Sequence, residues 1–488
     1  MRSALIGLLL ISHLSAAGLK QRIDGLIANS PALANAYVGL EIRSLSDGSV
    51  IYAHNASRLF VPASNTKLFT TALALARLGP QYRFKTQIAA GSSIDSNGTL
   101  SADLVLIGGG DPSLSGRDYP YHYRPNAPPD YSFRAIEDFA AQLVARGLKR
   151  VDGDVIGDDR RFVWSPYADS WSFGDAVWEY GAPVSALTLD DNSFVLTLTP
   201  ASQAGDPVQL LLTPPFEYFL IDNRVQTVPA GERKIEIDRA PGRRQLHLTG
   251  SIPIDDPGLT KLLAIDDPAL YAATVLRDAL IRQGVSVRGQ AVARHRFAGD
   301  TGEDASPRRS LAERSSPPLA EILQVVDKVS QNLHAEILLR EIGYSMRHSG
   351  AREAGLAELD SFLADAGISN DDYRFVDGSG LSRNTLVTPE AITRLLTFMY
   401  RSAYRSIWQS LLPVAGVDGT LATRFADHPE AHAIQAKTGT LSHVRANSGY
   451  IQSTRYGPLA FSILVNNYDA PTTEISKFLD AVELELLR

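Results

Sequence analysis

The chain has 488 residues, of which 44% are hydrophobic and 21% charged, with a formal net charge of −7. At ~150 residues per domain this length allows about three packed domains, and the composition excludes a disordered chain. The acidic balance argues against nucleic acid or an anionic membrane surface as the main partner. With no cysteine there is no disulfide framework, thiol nucleophile or thiolate metal site.

The first residues read as an export signal: Arg2, an apolar run from Ala4 to Ile11, then the small residues Ser15, Ala16 and Ala17 before Gly18. Residues 1–17 are therefore expected to be removed, leaving a periplasmic or otherwise secreted product. No later apolar run is long enough to span a bilayer, so membrane contact is peripheral at most.

Residues 36–54 alternate apolar and polar positions around a Ser46-Asp47-Gly48 turn, a β-hairpin pattern. Residues 63–78 have helical spacing, with Leu68, Thr71, Ala72 and Leu75 on one face and Gly79-Pro80 as the stop. Strands are expected over 85–115, followed by a Tyr/Pro-rich loop from Asp118 to Tyr131 that reads as surface decoration. An amphipathic helix then carries Ile136, Phe139, Leu143 and Val144 and ends near Gly147. The acidic group Asp154, Asp158 and Asp159 reads as a solvated strand-and-turn edge rather than a cation site. Short strands dominate 185–253, and 299–318, rich in charge, Ser and Pro, reads as an exposed loop. A helical stretch runs from Leu319 to Tyr344. The chain ends in strands around Ala433–Gln435, Gly449–Gln452 and Leu459–Val465 and an amphipathic helix carrying Ile475, Phe478, Leu479, Val482 and Leu486.

Three signals carry chemistry. Ser64 and Lys67, in Pro62-Ala63-Ser64-Asn65-Thr66-Lys67, stand three apart at a helix start and share a face. A serine hydroxyl needs a neighbour to remove its proton, and a lysine can do so when burial and nearby positive charge lower its pKa. The bland alternative is a helix-capping serine beside a surface lysine. Ser330-Gln331-Asn332 supplies a second hydroxyl and an amide within the 319–344 helical stretch. Ser382-Arg383-Asn384 has the same form, so the triplet does not discriminate alone. Lys437-Thr438-Gly439-Thr440 follows directly after a strand. Lys437 offers a charge for a carboxylate, and Gly439 lets substrate approach the backbone. With only nine lysines in the chain, chance is a weak account of this set.

The ordered trio Ser-x-x-Lys, Ser-x-Asn and Lys-Thr-Gly resembles that of penicillin-binding proteins and class A β-lactamases. The long separation between Ser64 and Ser330 narrows the resemblance to the D-alanyl-D-alanine carboxypeptidase/endopeptidase family, the low-molecular-weight class C penicillin-binding proteins. Further matches are Gly109–Leu114, Tyr180–Leu187 and Asp377–Arg383, with a looser one at Ala415–Thr420. The resemblance covers essentially the whole chain after residue 17. Gln331 stands where many relatives have Asp, a position not chemically required.

The resemblance implies an α/β (α+β) fold: a penicillin-binding/serine β-lactamase-like transpeptidase domain over 18–84 and 265–488. It implies two inserted strand-rich domains, one over 85–184 and 254–264, the other over 185–253. It implies Ser64 as nucleophile and Lys67 as general base, with Ser330, Asn332 and Lys437 completing the proton network. Thr438, Gly439 and Thr440 bind substrate, and the N–H groups of Ser64 and Thr440 form the oxyanion hole. Asp175 would receive the amine of a stem diamino acid, and Arg383 would line the same pocket. The implied partners are peptidoglycan stem peptides and, as covalent inhibitors, β-lactams, with no metal or organic cofactor. Two rivals share these residues: a β-lactamase or esterase, and a non-catalytic cell-wall binding protein. The interval between the motifs opposes the first; the presence of both Ser64 and Lys67 opposes the second. Neither the balance of carboxypeptidase and endopeptidase cleavage nor the oligomeric state can be read from these residues.

Overall fold

The computed structural model describes residues 18–125, 130–300 and 308–488. The expected export signal at 1–17 lies outside these residues. The chain divides into two compact units. One gathers the chain up to Gln81, Leu319–Ala335 and Leu356–Arg488; the other comprises Tyr82–Pro318 and Glu336–Gly355.

The first unit is built on a five-stranded antiparallel sheet, ordered Ile434–Leu441, Val444–Ser453, Gly457–Asn466, Tyr37–Ser44, Val50–His54. The hairpin expected over 36–54 forms its far edge, with Leu40 opposite His54 and Ile42 opposite Tyr52. Because strand side chains alternate between faces, Asn447 and Tyr450 point opposite ways. Asn447 bonds Glu483 on the C-terminal helix Thr472–Leu487, whereas the Tyr450 hydroxyl donates to the Leu396 carbonyl on the helix Pro389–Arg401. Helices thus cover both faces of the sheet. Leu40, Ile42, Ile434, Ala436, Phe461 and Ile463 pack with Ile475, Leu479 and Val482 into one core. At ~25 cal/mol per Å² of apolar surface removed from water, each fully buried Ile or Leu there contributes about 1.5–3 kcal/mol.

The second unit carries a mixed five-stranded sheet, ordered Ala291–Arg296, Val155–Val163, Leu104–Ile107, Lys85–Ala90, Arg309–Ser315, with two three-stranded sheets from 193–264. The amphipathic helix Arg134–Ala145 forms as expected. The expectation that the peptidase domain resumes at 265 is corrected. The helix Pro268–Arg282 buries Tyr271, Val275, Leu276, Ala279 and Leu280 in the core of this second unit, and the crossing falls at Leu319. The region 185–253 shares that core through Val225, Leu246, Leu248 and Ile252.

Three further expectations change. The stretch 299–318 is not all loop: Arg309–Ser315 is an edge strand paired with Lys85–Ala90, burying Leu311 and Ala312. Asp158 and Asp159 are not solvated. They sit buried in the strand Val155–Val163, where Asp158 meets Arg160 at 2.7 Å and Arg308 at 3.1 Å. Asp159 meets His295 at 3.0 Å and the Ser185 hydroxyl at 2.8 Å. Finally, the helical stretch from Leu319 to Tyr344 is broken, with consequences for the site.

Candidate active site

Ser64 occupies a short 3-10 turn, Ala63–Asn65, that feeds the helix Thr66–Arg77. Thr66, Lys67, Leu68, Phe69 and Ala72 are all buried, so the apolar character of this helix pins its first turn inside the unit. Ala63 is held at φ +48, a left-handed conformation that costs a residue with a Cβ about 1–2 kcal/mol. Gly380 closes on this turn: at φ +79, a Cβ there would stand 1.9 Å from the Ala63 carbonyl oxygen.

The Lys67 ammonium is fully buried. Its Nζ lies 2.8 Å from Ser64 Oγ, 2.6 Å from Asn332 Oδ1 and 2.8 Å from the Ser379 carbonyl oxygen. Asn332 and Ser379 present only acceptors, so they use two N–H groups in either charge state. The third position faces Ser64. There an ammonium donates, whereas a neutral amine accepts the Ser64 proton.

Ser330 is not inside a helix. The helix Leu319–Gln324 widens into a π turn over Val325–Val329, the chain reverses at Ser330 (φ +67, ψ +36), and a new helix starts at Asn332. This break lets Ser330 and Asn332 serve different lysines: Asn332 takes Lys67, and Lys437 Nζ reaches Ser330 Oγ at 2.9 Å. Gln331 is buried and accepts from the Leu333 N–H.

Lys437-Thr438-Gly439-Thr440 lies within the edge strand Ile434–Leu441 rather than after it. Lys437 and Gly439 share a face by alternation, and a Cβ at Gly439 would stand 2.7 Å from the Pro62 carbonyl oxygen and 3.1 Å from the Ser64 nitrogen. The glycine thus brings the strand backbone against the nucleophile's turn. Asn65 Nδ2 ties the two together through the Lys437 carbonyl at 2.8 Å. Thr438 Oγ1 meets Thr420 Oγ1 at 2.6 Å, and Arg445 donates to Thr440 Oγ1. Burial pushes the Lys437 amine below the usual lysine value; Asp327 pulls it back up and Arg445 lowers it further.

Ser64, Lys67, Ser330, Asn332, Lys437, Thr438, Gly439 and Thr440 therefore converge in one compact unit. Arg383 belongs to the same unit, exposed, with Nη2 2.5 Å from the Ser442 carbonyl oxygen. Asp175 belongs to the other unit, where it accepts from the Ser172 N–H at 3.0 Å and the Tyr180 hydroxyl at 3.3 Å. Asn65 and the Ser379 carbonyl were not foreseen from sequence. The signal for Ser379 was Asp377, buried in the quoted Asp-Gly-Ser-Gly run. Its carboxylate accepts from Gly380 N–H, Ser382 N–H and the Thr385 hydroxyl and so fixes the loop that presents Ser379.

A serine held by a buried lysine, with a second lysine–serine pair beside an open strand edge, defines a serine acyl-transfer site of the penicillin-recognising kind. Residues 19–485 match the D-Ala-D-Ala carboxypeptidase 3 (S13) family, and the chain belongs to it. Membership makes it a serine-type D-Ala-D-Ala carboxypeptidase by class. A D-alanyl-D-alanine carboxypeptidase from Actinomadura sp. is 34% identical over 93% of this chain and 82% of its own length. The crystal structure of penicillin binding protein 4 (dacB) from Haemophilus influenzae superposes with a TM-score of 0.82 at 22% identity, covering 96% of this chain and 99% of that one. That likeness confirms the expected mixed α/β fold.

Proposed function

We propose that the chain hydrolyses the D-Ala-D-Ala ends, or the cross-links, of peptidoglycan stem peptides, with each residue in the role described next. Neutral Lys67 takes the Ser64 proton as Ser64 Oγ attacks the carbonyl carbon of the penultimate D-Ala. The oxyanion forms against the N–H groups of Ser64 and Thr440. Ser330, backed by Lys437, delivers a proton to the leaving nitrogen, and water then releases the stem peptide and regenerates Ser64. If D-alanine leaves, the reaction is carboxypeptidase; if the side-chain amine of a neighbouring stem leaves, it is endopeptidase.

The contact of Lys67 Nζ with Ser64 Oγ at 2.8 Å, beside Lys437 Nζ and Ser330 Oγ at 2.9 Å, carries the reading. The strand edge supports it too. Beyond the bridge of Val414 to Gln435, Ile434–Leu441 has no strand partner on its outer side among the described residues, so an extended peptide can add there. Thr438 and Thr440 hydroxyls with the Lys437 ammonium receive the terminal carboxylate, and β-lactams acylate Ser64 by the same route. Asp175 offers a carboxylate for the amine of the stem diamino acid, and Arg383 an exposed guanidinium for polar groups of the stem. The enzyme works outside the cytoplasm after loss of residues 1–17.

Incubation with cross-linked muropeptides, read by mass spectrometry beside Ser64→Ala, tests the reading. Loss of D-alanine or splitting of cross-links is expected, falling at least about 10⁴-fold in the variant. A product insensitive to Ser64→Ala would end it. Equal rates on stems with free and acetylated side-chain amines would remove the role of Asp175.

A further inference from the structure

Ser330 must hold its hydroxyl where a leaving nitrogen can take the proton, yet it sits at a break between two helices and in a left-handed conformation. Such a conformation persists only where the surroundings over-determine it. Lys328, two residues earlier in the same π turn, supplies that hold. It is buried, and its Nζ lies 2.5 Å from Asp418 Oδ2 and 3.0 Å from the Leu412 carbonyl oxygen.

Asp418 is engaged through its other oxygen as well. Oδ1 accepts from the Val414 N–H at 2.9 Å and so closes the loop 412–420 on itself. That loop is tied in turn to the strand that carries Lys437. The Ala436 N–H donates to the Pro413 carbonyl at 2.9 Å, and the Ala415 N–H donates to the Ile434 carbonyl at 3.1 Å. Further along, Thr420 Oγ1 meets Thr438 Oγ1 at 2.6 Å. Between these anchors Gly419 lies against the π turn: at φ +58, a Cβ there would stand 2.7 Å from the Lys328 carbonyl oxygen.

The loop therefore works as a strut. One side holds the turn of Ser330, through the ion pair and the close backbone approach; the other holds the strand edge, through two backbone bonds and a hydroxyl pair. The contact of Lys437 Nζ with Ser330 Oγ cannot set this spacing alone, because a lysine stem is flexible and its tip follows the hydroxyl. The Lys328–Asp418 pair can. Its side chains are only 8% and 19% exposed, so solvent screens it little, and each partner has a second, fixed hydrogen bond.

We propose that the Lys328–Asp418 pair positions the proton donor: it sets how far the Ser330 hydroxyl stands from the strand edge on which substrate lies. Neither residue touches substrate or Ser64; both act through Ser330. The inference rests on the reaction proposed above, in which Ser330 protonates the leaving nitrogen.

A leaving amine needs that proton, whereas a leaving thiolate does not. The test compares a D-Ala-D-Ala peptide with a thioester of the same acyl part and the same terminal carboxylate, by kcat/KM, with thermal unfolding as a check. The variants are Lys328→Met, Lys328→Met/Asp418→Asn and, for reference, Ser330→Ala. Lys328→Met leaves the Asp418 carboxylate without its cation and should lower the unfolding temperature. The double variant removes both charges, keeps an acceptor for the Val414 N–H and should unfold near wild type. In both, kcat/KM on the peptide should fall about 10²-fold, as for a displacement near 1 Å, with the thioester far less affected. In a Ser330→Ala background, the double change should cost little more on the peptide. A double variant that slows on both substrates equally, or on neither, overturns the proposal. So does failure of both Lys328 variants to fold, which would make the pair a prop of the whole unit. If Ser330→Ala itself slows both substrates equally, the role of Ser330 in the proposed reaction falls instead.

Discussion

Buried charge in the two units is put to different uses. In the inserted unit, His295 is clamped by Asp159 at 3.0 Å and Asp267 at 3.2 Å, and stacks on Trp164 at 4.0 Å. Arg161 reaches Glu341 at 2.6 Å, with the Tyr82 hydroxyl on the same carboxylate at 2.5 Å. Charge in these two clusters is matched, while Arg239, buried in the same unit, donates only to the Ala176 and Ile265 carbonyls among the described residues. In the motif-bearing unit, Lys67 and Lys437 are fully buried within hydrogen-bond reach of Ser64 and Ser330, and Ala63 and Ser330 are held at positive φ. Positive φ is not confined to the site, since Phe133, Asp190, Asp191 and Asn192 share it in the inserted unit; what sets the site apart is two buried amines each within reach of a serine hydroxyl.

The comparison can be broken most sharply at Gly439. Gly439→Ala would push the strand from the Pro62–Ser64 turn, and a misplacement near 1 Å costs on the order of 10²-fold. Acylation by a β-lactam, followed by stopped flow or mass spectrometry, should slow by about that factor with little change in unfolding temperature. An unaltered rate would mean that the close approach does not set the site.

The next effect concerns pH. Burial drives Lys437 down to about 8. If its ammonium binds the substrate carboxylate, kcat/KM should fall about tenfold per pH unit above that value, mainly through KM. A flat profile from pH 8 to 10 would remove the charge of Lys437 from the mechanism.

The smallest effect belongs to the scaffold. Burial opposes the charge of His295, but the hydrogen bonds it donates to Asp159 and Asp267 prevail and push it up to about 10 from 6.5. Its folded value exceeds the unfolded one, so its stabilisation is complete below about pH 6.5 and is lost as the pH rises toward 10. His295→Gln should lower the unfolding temperature by a few degrees at pH 6 and much less near pH 10. Its turnover should stay near wild type at a pH where it is folded. A deficit equal at both pH values would show that ring packing, not charge, is what His295 supplies.

The chain's periodicity and motif order were enough for the hairpin at the sheet edge, the Thr66–Arg77 helix, the closing strands and the three signals that converge on Ser64. These are local facts: a 3-residue spacing at a helix start, an alternating strand, a glycine after Lys-Thr. What lay beyond them depended on distant partners. Nothing in 265–282 says which sheet its apolar face will cover, and nothing in 309–315 says that Lys85–Ala90 offers it an edge. Helical periodicity across Leu319–Tyr344 hid the break at Ser330, because a π turn and one left-handed residue leave the apolar spacing almost intact. Asp327 looked like any polar residue on a helix. Only the fold buried it near Lys67 and Lys437, which come from a helix and a strand far away in the chain, since the energy of a charge is set by what surrounds it in space.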